Sequence, residues 1–432
     1  MTNRVWPWLV LGAVALGPAR GSAQAPPPRK LTLRQAEELA AKNHPQVSAA
    51  FLTALAANQV TIETRSAFFP TVFGSLTGAA AAKDSRITAG LLNNPSIFNR
   101  FAGGFAINQL VTDFGRTSNL TENARLRAQA EEQTAQATRA QILLQADRAY
   151  FAVLRAQSVL TVAQQTVSAR QLVADQVTAL AQSKLKSDLD VSFARVNLSE
   201  ARLLLIDAQN EIRAAFAQLT AALGFQDEQT YELAEEPMPG SPPASLADLV
   251  AQGLRDRPEL ASSRLSRDAA QRFAAAERDL ARPTISAIGV AGGSPAHDSL
   301  ITDHYSAAGV NVNIPIFNGR LFTARRTEAE LRAQAQEQQV RDLENAIARD
   351  IRVAWLNANT AYQRLSVTDE LLQQATLAQD LAQARYDLGL GSIVELSQAQ
   401  LNKTSAQIAS AEAKYDYQIQ RSVLSYQIGA LH

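Results

Sequence analysis

The chain of 432 residues contains no cysteine, and only 6% of its residues are aromatic. The lack of cysteine excludes a disulfide framework, a thiolate metal site and a lipid-modified cysteine. Few aromatics are unusual for a large globular core and typical of long helices that pack through small side chains. Basic and acidic residues number 41 each, so the chain lacks the basic excess of a nucleic-acid-binding protein. These absences favour a helical protein that does not bind nucleic acid.

Glycine and proline are absent from residues 116–223, 320–388 and 392–428. Because both residues disfavour helix interiors, their absence predicts two long helical hairpins, 116–223 and 320–428. Each outgoing arm would have about 70 residues and a length of roughly 105 Å, and each return arm would have about 36 residues. Large apolar residues are sparse along these arms, so other helices must cover their apolar stripes.

The reversals at the hairpin tips differ between the two halves. Gly389-Leu390-Gly391 predicts a tight turn, since glycine tolerates positive φ. We align Lys186-Ser187-Asp188 with this turn and expect Asp188 to cap the helix that follows it.

The N-terminus has the features of a secretory signal peptide. Arg4 precedes the apolar stretch Trp6–Leu16, and Ala23-Gln24-Ala25 has the small-x-small pattern of a cleavage site, with Gly21-Ser22-Ala23 as a competing site. The apolar run is shorter than the ~20 residues of a membrane-spanning helix, which argues against an uncleaved anchor. We therefore expect residues 1–25 to be removed during secretion.

The remaining chain contains the same pattern twice. Five residue pairs are separated by 213 positions, and these are Leu33/Leu246, Pro45/Pro258, Leu52/Leu265, Ala57/Ala270 and Pro70/Pro283. Further on, Gly115-Arg116 matches Gly319-Arg320 at a separation of 204. This order predicts two structural repeats, 26–244 and 245–432. Each would contain two short helices, two extended segments and one long hairpin.

Four extended segments are predicted as strands, at 68–79, 101–113, 282–292 and 305–317. The clearest alternation places Val310, Val312, Ile314 and Ile316 on one face. Four strands cannot close a membrane barrel, which needs about eight, and an open sheet edge is not tolerated in lipid. If these strands span a membrane, several copies must therefore contribute to one barrel. An ordinary soluble sheet is the alternative.

The sequence offers little chemistry of a catalytic kind. It contains no phosphate-binding loop, HExxH, GxSxG or dinucleotide glycine pattern, so we expect neither an enzyme nor a cofactor. His297-Asp298 and Asp303-His304 lie in one polar segment, which we interpret as an exposed loop and not as a metal site. Two alternatives to a channel are a periplasmic coiled-coil scaffold and a periplasmic adaptor, although an adaptor would need a single hairpin between β-rich halves.

Three groups of motifs occur in a characteristic order along the chain. They are Leu31–Ala36 with Asn43-His44-Pro45, Thr112–Arg116 with its echo Pro315–Arg320, and Tyr386–Gly389 with Glu395–Gln400. Together with the duplication, they resemble the TolC-type outer-membrane efflux proteins over nearly the whole mature chain. The resemblance implies a mainly α fold with a small β part. Three copies would pool 12 strands into a transmembrane β-barrel, with the hairpins forming an α-barrel in the periplasm.

The resemblance also implies a passive exit duct for small molecules or proteins, located in the outer membrane. Its partners would be a periplasmic adaptor and an inner-membrane efflux pump or ABC transporter. The hairpin tips would form the constricted entrance, where a ring of like charge would control opening. Acids near a helix start are also common as caps, which is the alternative role. The candidate tip and gate residues are Lys186, Asp188, Asp190, Tyr386, Asp387, Gly389, Gly391 and Glu395.

Overall fold

The computed structural model describes residues 29–82, 98–227, 231–300 and 302–431. The expected signal peptide, residues 1–25, lies outside the described residues. In the described part, helices dominate and strands form a small second component, which confirms the expected fold class. The helices are α1 (Leu33–Asn43), α2 (Pro45–Ser66), α3 (Arg116–Gln182), α4 (Asp188–Ala222), α5 (Leu246–Asp256), α6 (Pro258–Asp279), α7 (Leu321–Asp387) and α8 (Ile393–Gln427). The strands are β1 (Arg29–Leu31), β2 (Thr71–Ala79), β3 (Arg100–Thr112), β4 (Tyr231–Leu233), β5 (Thr284–His297) and β6 (His304–Asn313).

The helices match in length between the two halves of the chain. The pairs α1/α5, α2/α6, α3/α7 and α4/α8 have 11, 22, 67 and 35 residues. At about 1.5 Å per residue, α3 and α7 are each roughly 100 Å long. Among the helices that the structure describes, none is both long enough and apolar enough to cross a membrane.

Local sequence determines where the helices begin and end. Pro45 and Pro258 occupy the first positions of α2 and α6, where the missing N–H leaves no helical hydrogen bond unmade. Gly224 and Gly429 follow α4 and α8 with φ values of 81° and 73°. In this left-handed conformation a glycine redirects the chain at little steric cost, so each return helix ends there.

The larger sheet is antiparallel, with the strand order β2-β3-β5-β6. Its register places one set of exposed apolar side chains on a single face, namely Val72, Leu76, Phe101, Phe105, Ile107, Val310 and Val312. The other face carries hydroxyl and amide side chains beside several apolar ones. In the described sheet β2 and β6 each pair on one side only, so each leaves a free edge.

Prolines set the limits of this sheet, and three sequence-predicted strand boundaries were wrong. Residues 68–70 are not strand, because the N–H groups of Phe68 and Phe69 donate to carbonyls at the end of α2 and Pro70 has none. Residues 314–317 lie beyond β6, which ends two residues before Pro315. In contrast, β5 continues past 292 to His297, because it stays paired with β3.

The helices pack in one layer, and at both ends shorter helices alternate with the long helices α3 and α7. Near the sheet the order is α2-α3-α6-α7, and near the hairpin tips it is α4-α3-α8-α7. Two shorter helices in succession therefore accompany each continuous long helix. The two edges of the layer are α7 on one side and the pair α2 and α4 on the other.

A collar of non-hairpin structure lies at mid-height. We call this collar the belt: α1, β1, β4 and the connector 234–245. β1 and β4 pair in parallel, and α1 packs on α3. Tyr150 of α3 donates hydrogen bonds to the carbonyls of Leu31 and Ala234, which ties the belt to the long helix. Its core contains Ala36, Ala40, Tyr150, Leu219 and Tyr415 among other buried residues.

Candidate functional site: the hairpin tips

The two hairpin tips share one backbone design. Gly389 has a φ of 72° and is followed by a hydrogen bond from Leu390 N to Arg385 O of 2.8 Å. At the other tip, Lys184 takes the same position with a φ of 60°. Gly389 thus aligns with Lys184, and the sequence alignment of Gly389 with Lys186 was wrong. A lysine in this conformation carries strain that glycine avoids. Because the first turn has lysine at this position, no glycine in the sequence indicates where the turn lies.

The cap of α4 also differs from the prediction. Ser187, and not Asp188, is the N-cap, since Asp190 N donates to Ser187 Oγ at 3.2 Å. Asp190 completes a capping box by accepting from Ser187 N at 3.0 Å. Asp188 is the exposed first residue of α4. Ser392 plays the same part at the start of α8, where it accepts from Glu395 N at 3.1 Å.

Tyr386 joins the two tips. Its side chain is only 7% exposed and packs in a shared apolar cluster with Val177, Leu198 and Leu396. Lys186 of the other tip lies over its ring, with Nζ 4.1 Å from the centroid, a cation–π contact. Burial raises the pKa of the Tyr386 hydroxyl, and the charges of Asp190 and Asp387 add to this effect. Lys186 and Tyr386 therefore connect the first hairpin to the second.

The four candidate acids have different surroundings. Asp190 serves in the capping box, and Glu395 forms an ion pair with Arg385 at 3.1 Å. Asp387 accepts a hydrogen bond from the Gln383 amide at 2.9 Å and is exposed, as is Asp188. Of the four, Asp188 and Asp387 are exposed and form neither an ion pair nor a capping box with a described residue.

Arg385 is a functional candidate that the sequence analysis missed. Besides its ion pair with Glu395, it donates to Leu390 O at 3.3 Å, so it holds the turn and the start of α8 together. A Cβ on Gly391 would lie 3.2 Å from Arg385 Cβ, which explains the small residue there. The spacing of Arg385 and Glu395 across a glycine turn was the available sequence signal.

A groove runs between the two tips. It has a volume of about 820 Å³ and is lined by α3 and α7, with Lys186, Tyr386, Asp387 and Gly389 at its lower end. Its walls are mixed, with leucine and valine beside glutamine amides. Within the described ranges, no group of three or more His, Asp or Glu side chains is placed to hold a metal ion. The tips thus enclose a recess whose walls are partly apolar and partly amide.

Comparison with known proteins places this geometry in a family. The model of the family "Outer membrane efflux protein" matches residues 37–225 and 249–430. The outer membrane protein TolC of Salmonella enteritidis is 23% identical over 346 residues, covering 77% of this chain and 70% of TolC. The outer membrane efflux protein BepC of Brucella suis is 24% identical over 371 residues, covering 82% and 75% of the two chains.

The fold agrees with this assignment. The CmeC outer membrane channel of Campylobacter jejuni superposes with a TM-score of 0.79 at 18% identity, covering 92% of this chain and 85% of that one. At that identity the likeness shows the fold alone, whereas the family match covers most of the chain. The chain therefore belongs to the outer membrane efflux protein family, and it is an outer-membrane protein whose helical part lies in the periplasm.

Proposed function

We propose that the protein is a passive exit duct, formed by three copies of the chain, and that it catalyses no reaction. The observation that carries this proposal is that the protomer is an open layer at both of its levels. The sheet ends in two unpaired edges, β2 and β6, and the helical layer ends in α7 and in α2 with α4. A strand edge left open in lipid is unstable, so each edge needs a partner.

The helical edges support closure by copies of the same chain. On α4, the exposed residues Leu189, Val196 and Leu203 recur every seven positions. On α7, Val353, Val367 and Leu381 are exposed, as is its C-cap Leu388, and the four are also separated by multiples of seven. Apolar residues with this period form coiled-coil seams. One copy's α4 edge against the next copy's α7 edge gives a head-to-tail contact, which closes into a ring.

Three copies would supply 12 strands from the larger sheet and 12 helices at each level of the helical layer. The apolar sheet face, with Leu76 at 79% and Phe105 at 68% exposure, would meet lipid. The opposite face, with Thr71, Ser75 and Asn311, would line the duct. The tip residues would form the entrance, held shut by Tyr386, Lys186 and the Arg385–Glu395 pair. Asp188 and Asp387 would add negative charge there.

A passive duct has no energy source of its own, so it needs partners that supply the energy for transport. We infer a periplasmic adaptor and an inner-membrane pump or ABC transporter, with small molecules or proteins as cargo. The recess between the tips is the surface on which an adaptor would fit.

Cross-linking between the edges tests the ring. Because the chain has no native cysteine, only the introduced cysteines can react. Ser75→Cys on β2 and Asn311→Cys on β6 are combined in one chain and treated with a short bis-maleimide. Within one chain the two edges are three strand spacings apart, about 14 Å, beyond the reach of such a reagent. We expect covalent dimers and trimers on a denaturing gel, and single-cysteine variants should give no trimers.

Cross-linked products no larger than a dimer would contradict the trimer, and a gel that shows monomers alone would contradict the ring. Electron microscopy in detergent is an independent check. It should show a hollow rod about 135 Å long, from roughly 100 Å of helix and roughly 35 Å of barrel. A water-soluble monomer would instead favour the scaffold alternative.

A further inference from the structure

An acidic side chain is buried where the belt meets the long helix. Asp147 of α3 is 1% exposed and lies beside Ala146 and Tyr150 of the belt core. Its Oδ1 accepts no hydrogen bond from any described residue. Burial removes water from this carboxylate and its Oδ1 has no donor, so the neutral form is favoured. This burial exists within one chain, and assembly cannot expose the group.

A second carboxyl group faces Asp147 from the belt. Glu37 of α1 lies between the buried residues Ala36 and Ala40, and its carboxyl group hydrogen-bonds with that of Asp147. Ser422 of α8 hydrogen-bonds with Asp147 from the other side, which favours the ionised carboxylate and partly offsets the effect of burial. Two carboxyl groups can bond to one another only if at least one of them carries a proton.

The surrounding charges favour retention of that proton. Glu236 of the connector and Glu38 of α1 are the nearby anions, and Arg34 is the one cation that acts on Glu37 among the described residues. No described cation acts on Asp147. Burial is the main cause that raises the pKa of Asp147 to about 8. Burial likewise raises the pKa of Glu37, with Glu236 and Glu38 contributing in the same direction.

We propose that Glu37 and Asp147 share one proton, and that this proton clamps α1 of the belt onto α3 and α8. Loss of the proton leaves two negative charges in contact without a counterion, so α1 loosens from the helical layer. The clamp is a pH-sensitive device inside a single protomer. It goes beyond the proposed duct and does not depend on it.

The direction of the pH effect follows from proton binding. An unfolded aspartate releases its proton near pH 4, whereas the folded pair retains it to about pH 8. Between these limits the folded state binds more protons, so stability falls as pH rises. One retained proton changes the folding equilibrium constant by at most about tenfold per pH unit. Above the upper limit the contribution is lost.

Thermal unfolding of the detergent-purified protein between pH 5 and pH 9 tests the clamp. Asp147→Asn keeps the shape and supplies a permanent N–H donor to Glu37. It should unfold at a higher temperature than the wild type at pH 8.5 and show a flatter pH profile. Glu37→Gln should flatten the profile in the same way. The double variant should add little, because the pair shares one proton. Asp175→Asn, on the exposed side of α3, is the matched control and should follow the wild type.

Two measurements on the wild-type protein test the proposal without relying on a variant that folds. Difference infrared spectroscopy should show the C=O band of a protonated carboxylic acid at pH 6.5, and the band should disappear near pH 8. Hydrogen exchange, corrected for its intrinsic pH dependence, should accelerate in Leu33–Asn43 over the same range. Absence of the band, or an unchanged pH slope in Asp147→Asn, would overturn the proposal.

Discussion

Each return helix ends against a turn that joins two shorter helices, and this contact should be very sensitive to one added methyl group. Gly224, which ends the α4 return, has a φ of 81° and lies against the turn between α1 and α2. A Cβ there would lie 2.8 Å from the backbone atoms Asn43 C, Asn43 O and His44 Cα. Since these contacts are with backbone, no side chain can move aside. Gly224→Ala should therefore disrupt packing as well as local conformation.

The magnitude can be separated into two parts. Alanine in the left-handed conformation costs about 1 kcal/mol, and overpacking costs roughly 1–3 kcal/mol, giving about 2–4 kcal/mol in total. Gly389→Ala is the matched control, because Gly389 has a φ of 72° but no atom within 4 Å of the added Cβ. It should lose only about 1 kcal/mol. Both substitutions change the unfolded chain alike, so the difference isolates the contact.

Denaturant unfolding in detergent, followed by helical circular dichroism, measures both variants. Gly429→Ala provides a repeat of the experiment within the same chain, since its Cβ would lie 2.9 Å from Asp256 C and O. It should behave like Gly224→Ala. If Gly389→Ala were as destabilising as the other two, the steric argument would be refuted.

Two further predictions concern buried polar groups. Tyr386→Phe removes a hydroxyl that has no hydrogen-bond partner among the described residues, so thermal unfolding should be unchanged or slightly raised. Tyr386→Ala should lose about 3–5 kcal/mol through the cavity it creates, and equal losses in both variants would contradict this reasoning. Arg325→Ala should lose about 3 kcal/mol in chemical unfolding, because it leaves the buried Glu277 carboxylate without its two hydrogen bonds of 2.7 and 2.9 Å. The neighbouring Arg326→Ala breaks only an exposed pair with Glu330, so it should change stability by less than about 1 kcal/mol.

Much of the helical architecture could be predicted because its signals are local. Glycine and proline are missing where the long helices run, and Pro45 and Pro258 mark helix starts. The strand alternation of Val310 and Val312 was equally readable. The end of β5 was mispredicted because the deciding factor there was a contact between distant residues. Pairing with Arg100 extends β5 to His297, which no local pattern indicates.

The tips show the same limit. Gly389 announces its turn, whereas Lys184 adopts the same conformation without a sequence signal. Ser187 and Asp188 are both good caps, so composition alone did not decide between them. The contact of Lys186 with Tyr386 joins residues 200 positions apart, and it depends on how the hairpins pack. The gate roles of the eight candidate residues stay a prediction.

The equal helix lengths have a mechanical consequence. Gly224 and Gly429 mark breaks at mid-height. At these breaks α4 ends opposite the start of α2, and α8 ends opposite the start of α6. Of the helices in the described part of the chain, α3 and α7 alone pass through this level unbroken. A force that pulls on the tips is therefore transmitted to the sheet through the two continuous helices of each protomer, α3 and α7. The interrupted helices keep these two apart. Stiffness along the molecule therefore resides in the backbone hydrogen bonds of α3 and α7.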